Sequence, residues 1–543
     1  MRARVALCLA CLVLLGACTG DSGGDVDPEA SATLDDTAVP SLSPSLGGFS
    51  DDDDVLDVAI TEPSTLDPMR IQDPGSVLIA RQLFESLTAW DQSTEEVVPA
   101  AAESWEVAEG GRRFIFTLRQ GMTFHDGTPV TSRDFAFAFD RIAARQNASQ
   151  LAYTLDRVDG FIEVNQTGDA RSLRGIKTPD DLTLVIELTE PFMEFPAVLT
   201  HPGLVPLPES AVQDEEGFLA APIGNGPFQM AEPWAPGGPV LLRRFEGFVR
   251  TAPLEGIRFL PFPDAATSWL RFVDGEFDVA EVPVGQTDAA AEAFGERGFQ
   301  PFLASYSFGL NVGSPYLRSR SLRRAISIAI DRSRIATRIY KSTMLEPRGI
   351  VPAGMPGFSE NVCGDLCSYD PEQAATIVAG LPPAKRKVRI DFTFGEPHGQ
   401  VARSIRDDLE AAGLDVQMKG YRFPKFIELL TDRDQDMYRL SWLAEYPTAD
   451  VFLQGLFGSN SPDNHSGFSS RKVDRLLDQA RRESSSGRRS QLYVQAEKEI
   501  LDQVPIVPIG SFVTHWAAQS RVEGIVFDVM GGFDAVSVSL TGE

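Results

Sequence analysis

Apolar and polar residues alternate along this chain in two periods, and the switches between them outline the elements. Val55 to Ile60 reads as a strand, and the prolines of Thr61-Glu62-Pro63-Ser64-Thr65-Leu66-Asp67-Pro68 force an extended, turning path after it. Leu78, Leu83, Phe84 and Leu87 share one helical face between Val77 and Leu87. Arg113 to Leu118 alternates, with Phe114, Phe116 and Leu118 on one face of a hairpin strand. Gly121 to Val130 follows with an Asp126-Gly127 turn. Thr131 then caps a helix through Phe139, with Asp134 at the third position of its first turn.

Farther along, Ala304 to Val312 is a strand. Leu322, Ala325, Ile326, Ala329 and Ile330 recur at helical spacing after it. Arg323, Arg324, Asp331 and Arg332 fall largely on the other side and are expected to form a solvated face. Val388 to Phe394, a helix from Gln400 to Ala412 burying Val401, Ile405 and Leu409, and a strand from Leu414 to Met418 make one βαβ unit. Such a unit implies a parallel sheet with helices on both faces, where ligands bind beyond the strand ends. The next strand, Met437 to Ser441, runs into Trp442-Leu443-Ala444-Glu445-Tyr446-Pro447. Aromatic walls and one oriented charge at that place suit a small-molecule site, although a strand-end Trp and Tyr alone would equally be core.

Length changes the picture first. At 543 residues the chain is too long for one core, so two or three domains are expected. An apolar content of 43% with 23% charged residues is that of a soluble globular protein. The net charge of -28 argues against nucleic acid, which needs a basic face.

The beginning of the chain sets the compartment. Arg2 and Arg4 precede an apolar run from Val5 to Ala17, the pattern of a secretory signal over residues 1–17. The run ends Leu15-Gly16-Ala17-Cys18, which resembles the bacterial lipobox. That resemblance implies a lipid on Cys18; the other reading is an ordinary signal peptide with an incidental cysteine. Residues 18–54, rich in Gly, Ser, Asp and Pro and closing on Asp51-Asp52-Asp53-Asp54, are expected to be a disordered acidic tether with a reach of roughly 30–35 Å. A calcium loop there is disfavoured by the missing glycine and terminal glutamate. No other apolar run is long enough to span a bilayer. Cys363 and Cys367 are the only cysteines beyond the first eighteen residues. In an exported protein they read as a local disulfide, with metal binding as the rival reading.

Enzymatic motifs are missing. There is no His-Glu-x-x-His, Gly-x-Ser-x-Gly, Cys-x-x-Cys or phosphate loop, and the five histidines are scattered. No catalytic residue, cofactor or resident metal is expected.

Four stretches then occur in order: Thr65-Leu66-Asp67-Pro68, Leu83-Phe84-Glu85-Ser86-Leu87, Ala102-Glu103-Ser104-Trp105, and Phe124-His125-Asp126-Gly127-Thr128-Pro129-Val130-Thr131. Pro222-Ile223-Gly224-Asn225-Gly226-Pro227-Phe228 and Asn464-His465-Ser466-Gly467-Phe468 continue the series. Together they resemble the extracellular solute-binding proteins of family 5, the oligopeptide, dipeptide and nickel receptors of ABC importers.

The resemblance implies an α/β, two-lobed periplasmic-binding-protein fold of the large peptide-binding subclass, type II, with a hinge. Lobe one would span 55–307, with an inserted subdomain at about 75–205. Lobe two would span 308–505, and 506–543 would return to lobe one. It implies that Glu445, where relatives carry an aspartate, meets a ligand's α-amino group, with Trp442, Tyr446, Tyr306, Phe308, Asn311 and Gln72 as further cleft residues. The expected protein is a monomeric, non-enzymatic lipoprotein on the outer face of a membrane, capturing peptides for permease subunits. A glycan, opine or metal chelate as ligand, or a receptor without transport, are the alternatives.

Overall fold

The computed structural model describes residues 54–542. The signal peptide, Cys18 and the tether up to Asp53 therefore lie outside the described residues.

One mixed, eleven-stranded sheet runs through the whole body. Its lobe-two half orders Asp415–Tyr421, Lys387–Thr393 and Met437–Leu443. Its lobe-one half orders Val279–Glu281, Val55–Thr61, Gly256–Phe262, Val240–Arg244 and Phe228–Met230. Between them stand two antiparallel strands of 13 residues each, Gly298–Leu310 and Ile506–Ala518. The crossing strand thus starts six residues before the sequence pattern placed it.

These two strands join the halves. At one end Gly298 pairs with Trp516, which also pairs with Glu281 of lobe one. At the other, Leu310 pairs with Met437 of lobe two. Their mutual register breaks between Pro301 and Ser305 and again between Tyr306 and Ser307. At the first break Met344–Leu345 supplies a substitute edge to Phe512 and Ser511. The Leu303 N–H turns to the Val529 carbonyl at 3.2 Å.

Apolar burial follows the same division. One core gathers Leu56, Val58, Phe114, Phe116, Phe135 and Phe139 of lobe one. A second gathers Phe308, Ile326, Ile390, Val401, Ile405 and Met437 of lobe two. The βαβ unit forms as its periodicity predicts, with His398–Ala411 as its helix. Inside 75–205 a separate antiparallel sheet orders Ala102–Ala108, Arg113–Leu118, Thr183–Glu187 and Ile176–Asp180. The alternation of Phe114, Phe116 and Leu118 fixes its buried face. Ser132–Ala143 is capped as expected, the Asp134 carboxylate accepting from the Thr131 N–H and hydroxyl at 2.7 and 2.8 Å.

Three of the quoted motifs meet at one node. The Gly224 N–H donates to His125 Nδ1 at 3.1 Å, which leaves Nε2 to donate to the Gly226 carbonyl at 3.2 Å. Asn225 exchanges two hydrogen bonds of 2.9 Å with the Glu85 backbone. A β-carbon on Gly224 would stand 2.0 Å from the Leu83 carbonyl oxygen, so only glycine fits. The glycine turn therefore clamps the end of helix Pro74–Leu83.

The arginine expectation fails for two residues. Arg323 and Arg332 are buried rather than solvated. Arg332 donates to the carbonyls of Ser327, Ile330, Cys367 and Pro508 and to the Ser327 hydroxyl, at 2.7–3.3 Å. Arg323 does the same for Leu317, Arg318, Gln503 and Val504. A guanidinium has enough N–H groups to satisfy several carbonyls at once, so helical spacing alone misplaces it. Arg332 ties helix Arg320–Ala329 to the crossing strand and to the Cys363–Cys367 disulfide loop.

Removing that guanidinium leaves several buried carbonyls without a donor. Arg332→Ala is expected to cost about 3 kcal/mol or more, read from the urea midpoint, against less than about 1 kcal/mol for the half-buried neighbour Arg324→Ala.

Candidate functional site

The strand Met437–Leu443 delivers the site. Its last residues pair with the crossing strand, Ser305 with Trp442 and Ala304 with Leu443. The chain then leaves the sheet at the C-terminal edge of parallel neighbours and turns through Ala444 to Ala449 into helix Asp450–Phe457. Trp442 fixes this exit by donating Nε1 to the Val451 carbonyl at 3.0 Å. Tyr446 crosses to the other side and packs in the lobe-one core.

Glu445 faces lobe one. Its carboxylate accepts from the Tyr153 hydroxyl, which the turn Gln150–Leu155 holds in place. His201 Nε2 lies 4.0 Å from the same oxygen. The Gly203 N–H donates to His201 Nδ1 at 3.0 Å, and burial pushes this histidine down to about 4, so it is neutral with its proton on Nε2. Glu445 is 17% exposed, and burial raises its pKa against the pull of the Tyr153 hydroxyl. Its only ion-pair partner among the described residues is that neutral histidine.

Its neighbours at the same contact between the lobes are paired differently. Asp450 holds Arg481 of lobe two at 2.7 and 2.9 Å and Arg157 of lobe one at 2.9 Å. Burial works to raise the Asp450 pKa, but the two guanidinium groups outweigh it and hold the carboxyl low. The Arg157 guanidinium also lies 4.1 Å over the Phe192 ring. Glu194 of lobe one accepts from Tyr493 and lies 3.4 Å from Arg489, both of lobe two. Its burial pushes the carboxyl up to about 7.

Arg439 stands on the same strand as Trp442 and is 7% exposed, yet no carboxylate pairs with it among the described residues. It donates to Thr393 Oγ1 at 3.2 Å and Ser441 Oγ at 2.9 Å, and its Nε has no partner. Thr393 is the last residue of its strand, and Ser441 lies two residues before the end of its own. Its Cζ lies 5.6 Å over the Tyr306 ring. Tyr306 in turn stacks on His398, the first residue of its helix, with their OH and Nδ1 at 3.2 Å. Burial, and then Arg439, push His398 down to about 3.

The expected cleft residues separate accordingly. Glu445 and Tyr446 share the loop, Trp442 lies near the end of the strand before it, and Tyr306, fully buried in the lobe-two core, lies against Arg439. Phe308 is fully buried in the lobe-two core, a packing residue in this structure and no exposed wall. Asn311 stands apart from this group. It lies beyond the Leu310–Met437 end of a ladder whose other end is Ala304–Leu443, so about 20 Å of strand separates it from the loop. There it donates to the Arg433 and Gln435 carbonyls at 3.1 and 2.8 Å and accepts from the Gly313 N–H. Gln72 is half-buried on the connection between Pro68–Arg70 and helix Pro74–Leu83. Sequence reasoning passed over Arg439, whose signal was a lone charge inside an apolar strand. It also passed over Tyr153 and His201, for which no local signal exists. No cluster of three His, Cys, Asp or Glu able to hold a metal occurs among the described residues. No helix of the described residues is long and apolar enough to cross a membrane.

Two lobes share one mixed sheet, a two-lobed α/β fold. The family model described as "Bacterial extracellular solute-binding proteins, family 5 Middle" matches residues 96–464, more than half of the chain. The chain belongs to family 5 of the bacterial extracellular solute-binding proteins. It is 28% identical to the probable deoxycholate-binding periplasmic protein YgiS of Escherichia coli strain K12, over 83% of this chain and 86% of that one. It is 24% identical to the oligopeptide-binding protein OppA of Bacillus subtilis strain 168, over 87% and 90%. The unliganded open form of the murein tripeptide-binding protein MppA superimposes with a TM-score of 0.81 at 22% identity, covering 91% of this chain and 98% of that one.

Glu194 gives the contact between the lobes a pH signature. Its folded pKa of about 7 lies above the ordinary 4.5, so its favourable contribution is complete below pH 4.5 and is lost as pH rises through 7. Glu194→Gln removes that slope. Relative to wild type, the variant is expected to gain about 3 kcal/mol between pH 4.5 and 8, measured by chemical denaturation at each pH.

Proposed function

We propose that this protein captures short peptides with free termini outside the membrane and hands them to an ABC permease. The observation that carries the reading is a pair of buried, opposite charges on one segment. Among the described residues, Glu445 has no charged cation beside it and Arg439 has no carboxylate. Isolated buried charges are costly, and a zwitterionic ligand supplies both missing partners at once. Glu445 takes the ammonium. Arg439, with the neutral His398 and the hydroxyls of Thr393 and Ser441, takes the carboxylate. Six residues of chain span at most about 20 Å, which limits a ligand held at both ends to about six extended residues.

Capture proceeds by closure of the lobes about the two crossing strands. Their register breaks leave few ladder bonds to disturb at that level, and the closed form alone touches the ligand from both sides. The Leu15-Gly16-Ala17-Cys18 sequence supports anchoring through a lipid on Cys18, with the acidic tether as spacer. The protein works as a monomer and carries out no chemistry on its ligand.

Titration calorimetry with trialanine, N-acetyl-trialanine and trialanine amide tests the assignment. Glu445→Gln is expected to weaken trialanine at least about tenfold and to leave the acetylated peptide nearly unchanged. Arg439→Met is expected to weaken trialanine by a similar factor and to spare the amide. Deoxycholate binding that depends on Arg439 and ignores Glu445, with no binding of trialanine, would replace the peptide reading.

A further inference from the structure

Tyr153 has a particular relation to the proposed ammonium site. It comes from lobe one, 292 residues away in sequence, and donates to the Glu445 oxygen that also faces His201. Its turn is pinned at several points. Ser149 donates to the Met69 carbonyl at 2.7 Å and accepts from the Leu151 N–H at 3.2 Å. Thr154 donates to the Leu151 carbonyl at 2.6 Å, and Leu151 is buried against Gly203, where a β-carbon would stand 2.4 Å from its Cδ1. The phenol is therefore presented by a fixed scaffold. The His201 tautomer set by Gly203 places a second N–H toward the same oxygen. Lobe one thus aims two donors at a carboxylate of lobe two.

Donors are what an ammonium would bring. We propose that Tyr153 is a built-in surrogate for the ligand's amino group: its hydroxyl engages Glu445 across the lobes and is exchanged for the ammonium when a peptide binds. This rests on the peptide reading above. The residue type at 445 fits the exchange. Glutamate carries one methylene more than the aspartate expected there from the family resemblance, and that length lets the carboxylate meet a group on the opposing lobe. The surrogate also sets a threshold for selectivity. A ligand that cannot offer a donor to Glu445 must break the Tyr153 contact and leave the carboxylate unanswered. Every ligand gives up the same Tyr153 contact, and only a free amine replaces it with a donor of its own.

The test compares wild type, Tyr153→Phe and Glu445→Gln as full chains. Phenylalanine keeps the ring and removes only the hydroxyl. Tyr153→Phe is expected to bind trialanine about three- to thirtyfold more tightly, because no hydrogen bond has to be given up. N-acetyl-trialanine is expected to gain by the same factor, because it gives up the same hydrogen bond, so the ratio between the two peptides is expected to stay as in wild type. In the empty protein, amide hydrogen exchange across residues 444–449 is expected to accelerate in Tyr153→Phe. Unchanged or weaker trialanine binding by Tyr153→Phe overturns the proposal, since the hydroxyl would then be a ligand contact or a bystander. Unchanged exchange in the empty variant overturns it independently of any ligand. Should Glu445→Gln bind trialanine as wild type does, the peptide reading itself falls, and the exchange measurement still decides whether Tyr153 closes the empty protein.

Discussion

Two antiparallel strands carry the backbone of this sheet from one lobe to the other, and both lobes pair their own strands to them. That shared ladder constrains everything else. It is continuous at each end, where Trp516 meets Gly298 and Glu281 and where Leu310 meets Met437. It is interrupted in the middle. The breaks at Pro301–Ser305 and Tyr306–Ser307 are the places where ladder bonds are traded for other partners, Met344–Leu345 and the Val529 carbonyl among them. Bulged strands bend and twist more than regular ones.

The charges at the contact between the lobes divide by what satisfies them. Asp450 has two guanidinium groups, and Glu194 has a phenol and an arginine. These are complete without a ligand and hold the lobes at their present angle. Glu445 and Arg439 are incomplete in opposite senses. Burial is expensive for both, and folding tolerates them because neutral donors and hydroxyls soften the cost. Arg323 and Arg332 show the alternative, a buried cation fully supplied by backbone carbonyls. The contrast between Arg332 and Arg439 separates a structural arginine from one still seeking an anion.

Much of the fold was legible because it rests on local periodicity. The βαβ unit around Val401, Ile405 and Leu409, the alternation of Phe114 and Phe116, and the cap at Thr131 each depend on residues a few positions apart. The arginines of helix Arg320–Ala329 and its successor were misread because a helical pattern records which side a residue is on, and carbonyls from a distant strand then cover that side. Asn311 lies at the other end of the crossing strand from the Glu445 loop, and the pattern of a 13-residue strand does not tell its two ends apart. Arg439 announced itself as a charge within an apolar strand. Tyr153 and His201 could not, since their relation to Glu445 arises only when two lobes far apart in sequence are brought together.

The loop that carries Glu445 is stitched alternately into both cores. Ala444 and Ala449 lie in the core of lobe two, whereas Tyr446 lies in that of lobe one. For protein engineering this sorts the loop into two kinds of position. Residue 446 belongs to the packing of a lobe it does not come from, and changing its volume disturbs both bodies at once. Residue 445 bears charge at a partly open position, so libraries aimed at a new solute can vary it together with Tyr153, whereas residue 439 is buried over the Tyr306 ring and a replacement there must also fill that space.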